Sequence, residues 1–365
     1  MPNIVVYYHD PIEVDPRTGW TGLCPDLVNA KRIDISEVVD QRVTQLFEYA
    51  RPDAVITVDG QPVVSIEQTQ MNPSGHNIPQ RFSFHVRAAE LRVPSILYYP
   101  EYARRVFSDP NVRYLNIRVP LAQIRLSSIY RIPALTIFWP TDPNTKLPDT
   151  RQRAHRELAD VVNLLIASRN SLATLIDLPL IQEVLMKMQT ICLKYENSYA
   201  KNDSVRRIFP EGLMTAVTSS GISIDPPGVS ELLRTDKFLD SIKPRIITNN
   251  WEKTARKLSA RQLTMAFHGT ANHSKTDSEH PWPGYLSLVD VLYLRSDKGR
   301  STGDRQMNLV YYLPVDINMF LQRVNQNTPP TPTYIVDTFA DLIVLNGGII
   351  PGRPIRGNAS AEAIG

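Results

Sequence analysis

The chain has 365 residues, 42% of them apolar, with 40 basic and 37 acidic side chains, 29 Pro and two Cys. That is apolar material for a core burying roughly three quarters of the extended surface, at a length where one core tends to become two. Two Cys exclude a cysteine-rich zinc site and a disulfide scaffold, and the net charge of +3 does not by itself argue a polyanion partner.

No apolar run reaches the ~18 residues of a membrane span. The opening MPNIVVYYHD lacks the basic lead, long apolar core and small-residue cleavage site of a signal peptide. Cys24 and Cys192 are far apart, so both are expected reduced, in a cytoplasmic protein without membrane partners. There is no internal repeat and no glycine-rich phosphate loop.

In chain order, Asn3–Tyr8 reads as a short buried strand and 10–26 as an irregular loop. A helical stripe of Val38, Val39, Val43, Leu46 and Phe47 starts at Asp34 and should end near Ala50, because Pro52 restricts Arg51. Asp53–Val58 and Pro62–Glu67 flank Asp59-Gly60, the signature of a two-strand hairpin. Pro73, Ser74, Gly75 and Asn77 interrupt the chain. Gln80–Arg92 then gathers Phe84, Ala88 and Leu91 on one helical face. Val93–Tyr99 is expected as a strand, Glu101–Phe107 as a short helix and Ala134–Trp139 as another strand. Helices are expected at 151–168, 176–195, 231–239 and 251–267, and strands at 286–295, 309–315 and 335–345.

These elements predict an α/β (α+β) protein, a mixed sheet flanked by helices. The expected division is a core at 1–145, a largely helical insertion or second domain at 146–270, a strand-rich region at 271–346 and a loose tail at 347–365. The helical region is expected to serve recognition or dimerisation, and the strand-rich region to complete the core or that recognition region.

Charge is uneven along the chain. Residues 1–71 hold 5 basic and 11 acidic side chains, whereas 72–131 hold 9 Arg against 3 acids. A second basic stretch carries Lys243, Arg245, Lys253, Arg256, Lys257 and Arg261 against Glu252 alone. An acidic segment followed by an arginine-rich one suits a metal site beside a phosphate track. Ordinary solvated surface is the alternative for both runs.

A hairpin turning at Asp59-Gly60 brings Asp53 and Glu67 nearly opposite, with β-carbons about 5 Å apart. Thr69 shares the face of Glu67 by the period of two. Two such carboxylates repel, and a divalent cation relieves the repulsion. Mg²⁺ takes one or two carboxylates and fills its shell with water and substrate phosphate. Glu48, in the last turn before the hairpin, lies close enough in sequence to join them, and the same helix carries Glu37. Gln80, Arg81 and Arg87 follow on a helix suited to a backbone phosphate. His76 sits in the loop just beyond the second strand, where it could orient water. On bland readings Asp53 caps a turn, Glu67 faces solvent, and Arg81 and Arg87 line a helix surface beside Glu90.

This order resembles the PD-(D/E)XK nuclease superfamily, which includes restriction endonucleases. It comprises an acidic helix, Pro52-Asp53 before a strand, Glu67-Gln68-Thr69 on the next strand, then a helix and a strand. The likeness covers roughly residues 35–100. It implies a restriction-endonuclease-like sheet, with Asp53 and Glu67 on Mg²⁺ or Mn²⁺ and Glu48 as the helix acid. It also implies a metal-dependent endonuclease acting on double-stranded DNA, of type II restriction character. Cutting both strands favours a homodimer. The family usually has Lys where this chain has Thr69, and threonine carries no charge. Gln68, Gln70 and His76 are candidate substitutes. A non-catalytic nucleic-acid-binding protein with a degenerate core, or a structural or interaction protein, are the alternatives.

Lys243, Arg245, Lys253, Arg256, Lys257 and Arg261 are the expected duplex contacts, beside Arg81 and Arg87. His268, His273 and His280, with Asp277 and Glu279, have no strong zinc spacing. Asp290 reads as a polar site inside an apolar strand, and Cys192 as core.

Overall fold

Two units divide the chain, Met1–Lys194 and Tyr195–Gly365. The computed structural model describes residues 2–69, 81–104, 110–200, 216–217, 221–224, 229–242, 251–268, 282–326 and 331–357.

The first unit holds strands β1 (Ile4–Tyr8), β2 (Lys31–Asp34), β3 (Ala54–Val58), β4 (Gln61–Gln68), β5 (Ser95–Pro100), the short pair β6 (Tyr102–Ala103) and β7 (Arg113–Tyr114), and β8 (Ala134–Trp139). Six of them form one mixed sheet in the order β2-β1-β3-β4-β5-β8. β3 runs antiparallel to both β1 and β4, whereas β2 is parallel to β1, and β4, β5 and β8 are parallel to one another. The helices are α1 (Pro25–Val28), α2 (Gln41–Thr44), α3 (Phe82–Glu90), α4 (Arg118–Tyr130), α5 (Arg156–Ala167) and α6 (Pro179–Ala200).

Alternation along β5 assigns the faces. Ser95 meets His85 of α3 at 2.8 Å, while Tyr98 donates or accepts across 2.9 Å to His155, just before α5. The α3/α4 side and the α5 side therefore cover opposite faces. At the β8 edge, the Thr136 N–H points to Met188 Sδ of α6 at 3.2 Å, so that helix shields the edge strand.

The hairpin has one irregularity that matters for function. Asp59 and Gly60 sit at φ 52° and 74°, as a two-residue type I′ turn demands. Val58 then pairs Gln61 and Thr57 pairs Pro62, but Ile56 pairs Val64. Val63 is an inserted residue, a bulge beside a proline that has no N–H for the ladder. A regular ladder from the same turn would set Asp53 opposite Ile66. The bulge shifts the register by one residue, and a one-residue shift exchanges the two faces.

In the second unit, β9 (Ala216–Val217) pairs β10 (Ser223–Ile224). The main sheet runs β11 (Val229–Arg234), β12 (Leu263–His268), β13 (Met307–Asp316), β14 (Leu342–Asn346), β15 (Gly348–Pro351), in that order. Its three central strands are parallel and both edges antiparallel. Its helices are α7 (Thr235–Ile242), α8 (Trp251–Ser259), α9 (Trp282–Val289), α10 (Ile317–Gln326), α11 (Pro332–Phe339) and α12 (Arg353–Arg356). Phe238, Ile242 and Leu258 pack with Val310, Leu342, Val344, Ile349 and Ile355.

The mixed α/β class is as expected, with several sheets and, among the described residues, no closed barrel. No helix of the described residues is long and apolar enough to cross a membrane. Several boundaries differ. The first unit continues to Lys194, past the expected break at 145, because α5 and α6 pack on its sheet. The expected 34–50 helix is broken into 3₁₀ turns around the four-residue α2, after the unexpected strand β2. Tyr102–Ala103 is a strand, not the start of a helix. The expected helices at 231–239 and 251–267 are half strand: β11 precedes α7, and β12 follows α8. The expected 286–295 strand is α9 followed by a π-helical turn, Asp290–Leu294. The expected 335–345 strand is the end of α11 followed by β14. Short apolar runs fit either state, and their sheet partners decide. The expected loose tail is structured at its start, since β15 is buried and pairs β14.

Candidate functional site

Continuing the observed register by one residue from Ala54↔Ile66 places Asp53 opposite Glu67 at the open end of the hairpin. On the other side Tyr8 pairs Ala54, and the His9 N–H donates to the Asp53 carbonyl at 2.8 Å. His9, Asp53 and Glu67 thus form one cross-strand row on the α3/α4 face of the sheet. The Asp53 carboxylate is fixed by the Gln68 N–H, which donates to Oδ2 at 2.7 Å.

Glu67 is 1% exposed and ion-pairs with Arg81, which is 47% exposed and sits at the start of α3. Burial pushes the Glu67 carboxyl up to about 8, helped by the nearby charge of Asp53 and opposed by Arg81. Burial also raises the Asp53 carboxyl, against the pull of the Gln68 N–H and Arg81. A third acid was not foreseen. Glu13, in the loop that leaves β1, is pushed up to about 8 by burial and by the charges of Asp53 and Asp10. Glu13 also acts on Glu67 and on Arg81. The sequence signal was His9-Asp10-Pro-Ile-Glu13 directly after a strand, legible only once β1 is known to lie beside β3.

Three carboxylates therefore crowd around one guanidinium. Their raised proton affinity comes first from burial and only then from the neighbouring negative charges. The donors are hard oxygens, which suit Mg²⁺ or Mn²⁺. Among the described residues no group of three or more His, Cys, Asp or Glu is placed to hold a metal ion.

The other expected site residues divide as follows. Glu48 does not join Asp53 and Glu67. Its turn packs against α3, and its carboxylate pairs with Arg87. Arg87 also binds Glu90 at 3.2 Å and the Gln45 carbonyl at 3.1 Å, so it clamps α3 to the preceding turns rather than facing a phosphate. Thr69 lies just past β4, with its N–H donated to the Tyr98 carbonyl at 3.0 Å. His76, Gln80, Lys243 and Arg245 lie outside the described residues, as do Gln70, His273, His280, Asp277 and Glu279. Lys253 and Arg256 are exposed on α8. Lys257 is exposed there too, but its ammonium bonds the Ile355 carbonyl. Arg261 is 14% exposed and pairs with buried Asp341 at 3.1 Å and with the Asn308 amide oxygen at 3.3 Å. It is a structural member of the second unit, not an exposed duplex contact.

Asp290 is a buried polar site, as expected, but in a π-helical turn rather than a strand. It receives Arg295 and Arg305, each at 2.6 Å, and Arg305 continues to Asp341 at 3.0 Å. All four side chains are fully buried. The network lies at the starts of the parallel strands β13 and β14. Open α/β sheets bind ligands at the other end, so this position reads as architecture. Cys192 is buried, as expected for core.

No protein-family model matches this chain, and no curated protein or solved structure is significantly similar to it.

Proposed function

We propose that the first unit is a metal-dependent phosphodiesterase, an endonuclease acting on duplex DNA. The observation that carries this reading is the bulge-set opposition of Asp53 and Glu67 beside Arg81. The order hairpin, α3, then β5 supports it, as the resemblance to PD-(D/E)XK nucleases implies, while short turns stand where that resemblance implies an acidic helix. Asp53 and Glu67, with Glu13 near, would hold Mg²⁺ or Mn²⁺. When bound, such an ion polarises a phosphoryl oxygen and lowers the proton affinity of its water. The chain's own residues do the rest. The Gln68 N–H orients Asp53, the β4 backbone holds Glu67 at depth, and Arg81 offers donors to the substrate anion.

Type II restriction activity and a homodimer are the finer form of the proposal, with Lys253 and Arg256 of α8 as sequence-independent phosphate contacts. A second reading, a duplex-binding protein without catalysis, is favoured by one observation: uncharged Thr69 stands where the family usually has Lys.

Cleavage of mixed-sequence duplex DNA with Mg²⁺ or Mn²⁺ tests the two. Metal-dependent cutting that disappears in Asp53→Ala and Glu67→Ala supports the enzyme. Binding with a steep salt slope but no cutting supports the second reading. Neither cutting nor binding removes both.

A further inference from the structure

We propose that Arg81 supplies from helix α3 the positive charge at the scissile phosphate that Thr69 cannot supply from strand β4. The inference rests on the phosphodiesterase reading above.

The geometry fixes Arg81 from both sides. Phe82 and Phe84 are buried, which seats the first turn of α3. His85, four residues on and therefore on the same helix face, is fully buried and bonds Ser95 Oγ at 2.8 Å. That contact sets the rotation of α3 and turns position 81 toward the end of β4. The guanidinium pairs with Glu67 and also feels Asp53 and Glu13. A guanidinium has five N–H donors in a planar fork. About half of the Arg81 side chain is exposed, so part of its fork faces away from Glu67 toward solvent.

A lysine at position 69 would share the Glu67 face by strand alternation. Arg81 reaches the same carboxylate from the helix. The charge is kept and its place in the sequence has moved. Arg87, the other arginine of α3, cannot take this part, because Glu48 and Glu90 hold it.

Hydrolysis joins a water oxygen to phosphorus and breaks one ester P–O bond. The water's proton passes to solvent base, and the departing oxygen takes a proton from solvent. Nothing is oxidised or reduced. Negative charge grows on the phosphoryl oxygens as the bonds exchange, and a preoriented guanidinium stabilises that charge more than it stabilises the bound substrate.

The test compares wild type, Arg81→Lys, Arg81→Met and the double variant Arg81→Met/Thr69→Lys. Each is measured for single-turnover cleavage with Mg²⁺ and for duplex affinity in metal-free buffer. Arg81→Met should cut about 100-fold more slowly or worse, while its affinity falls less than about tenfold. Arg81→Lys should stay within about tenfold of wild type in cutting, and the double variant should regain about tenfold over Arg81→Met. Arg81→Met cutting at the wild-type rate overturns the inference. So does a loss of cutting no larger than the loss of affinity, or a loss that neither lysine restores. A wild-type protein that cuts nothing removes the phosphodiesterase reading itself, and this inference with it.

Discussion

Replacing Glu67 with glutamine should make the first unit more stable at alkaline pH. Burial raises this carboxyl from an ordinary 4.5 to about 8. Between those values the folded protein holds a proton that the unfolded chain has lost. The folded state then binds more protons, so stability falls as pH rises through that window. Above about pH 8 the whole difference applies, at most roughly 5 kcal/mol at 1.4 kcal/mol per tenfold change in proton affinity. Relaxation around the charge reduces it, and about 2–4 kcal/mol is the expected range. Glutamine keeps the shape and has no charge to desolvate. Arg81, 47% exposed, can turn to water when its partner is gone, so no buried cation is stranded. The assay is urea unfolding at pH 5 and pH 9, with hydrogen exchange of β3 and β4 amides to read the first unit alone. The variant should match wild type near pH 5 and exceed it at pH 9. A variant less stable than wild type at pH 9 would mean the Arg81 ion pair outweighs burial, and the reasoning fails. A buried carboxylate retained against stability is what an active site would retain.

Other outcomes follow from the same contacts. Glu13 and Glu67 must lose protons to hold a cation, so cutting at subsaturating Mg²⁺ should rise from about pH 7 to 9, and saturating Mg²⁺ should move the rise to lower pH. A profile that is flat and indifferent to Mg²⁺ would contradict this. Asp290→Asn leaves fully buried Arg295 and Arg305 short of their counter-charge, and should destabilise the second unit by about 3–5 kcal/mol. A loss under about 1 kcal/mol by urea unfolding would show the network to be dispensable. Lys253→Ala and Arg256→Ala should each flatten the log–log salt dependence of duplex binding by about 1, while Arg261→Ala should lower stability and leave that slope alone. Equal slope changes from all three would return Arg261 to the binding surface.

Local chemistry made much of the first unit legible. Asp59-Gly60 calls for positive φ at two successive positions, and a type I′ hairpin supplies it. Ala134–Trp139 is strand from end to end, and the 80–92 pattern is α3 with its ends trimmed. Where apolar runs were short, as at 263–268 and 286–294, periodicity could not choose between helix and strand. The choice followed from which strand lay alongside and from where Asp290 found its arginines.

The sequence by itself determined that two carboxylates flank one hairpin and that a helix carrying Arg81 and Arg87 follows. The hairpin signature sets them nearly opposite, but a regular ladder from that turn puts Asp53 against Ile66, so only the tertiary structure decided that they share a face. The inserted Val63 turns Glu67 toward Asp53, since every residue beyond a bulge changes sides. The pairing of β1 with β3 brings in Glu13 from 40 residues upstream of Asp53. The rotation of α3, set by His85 on Ser95, gives Arg81 to Glu67, while Glu48 takes Arg87. Spacing along a chain fixes neighbours within one element. Which charges meet across elements depends on register and helix rotation, and these are set by packing.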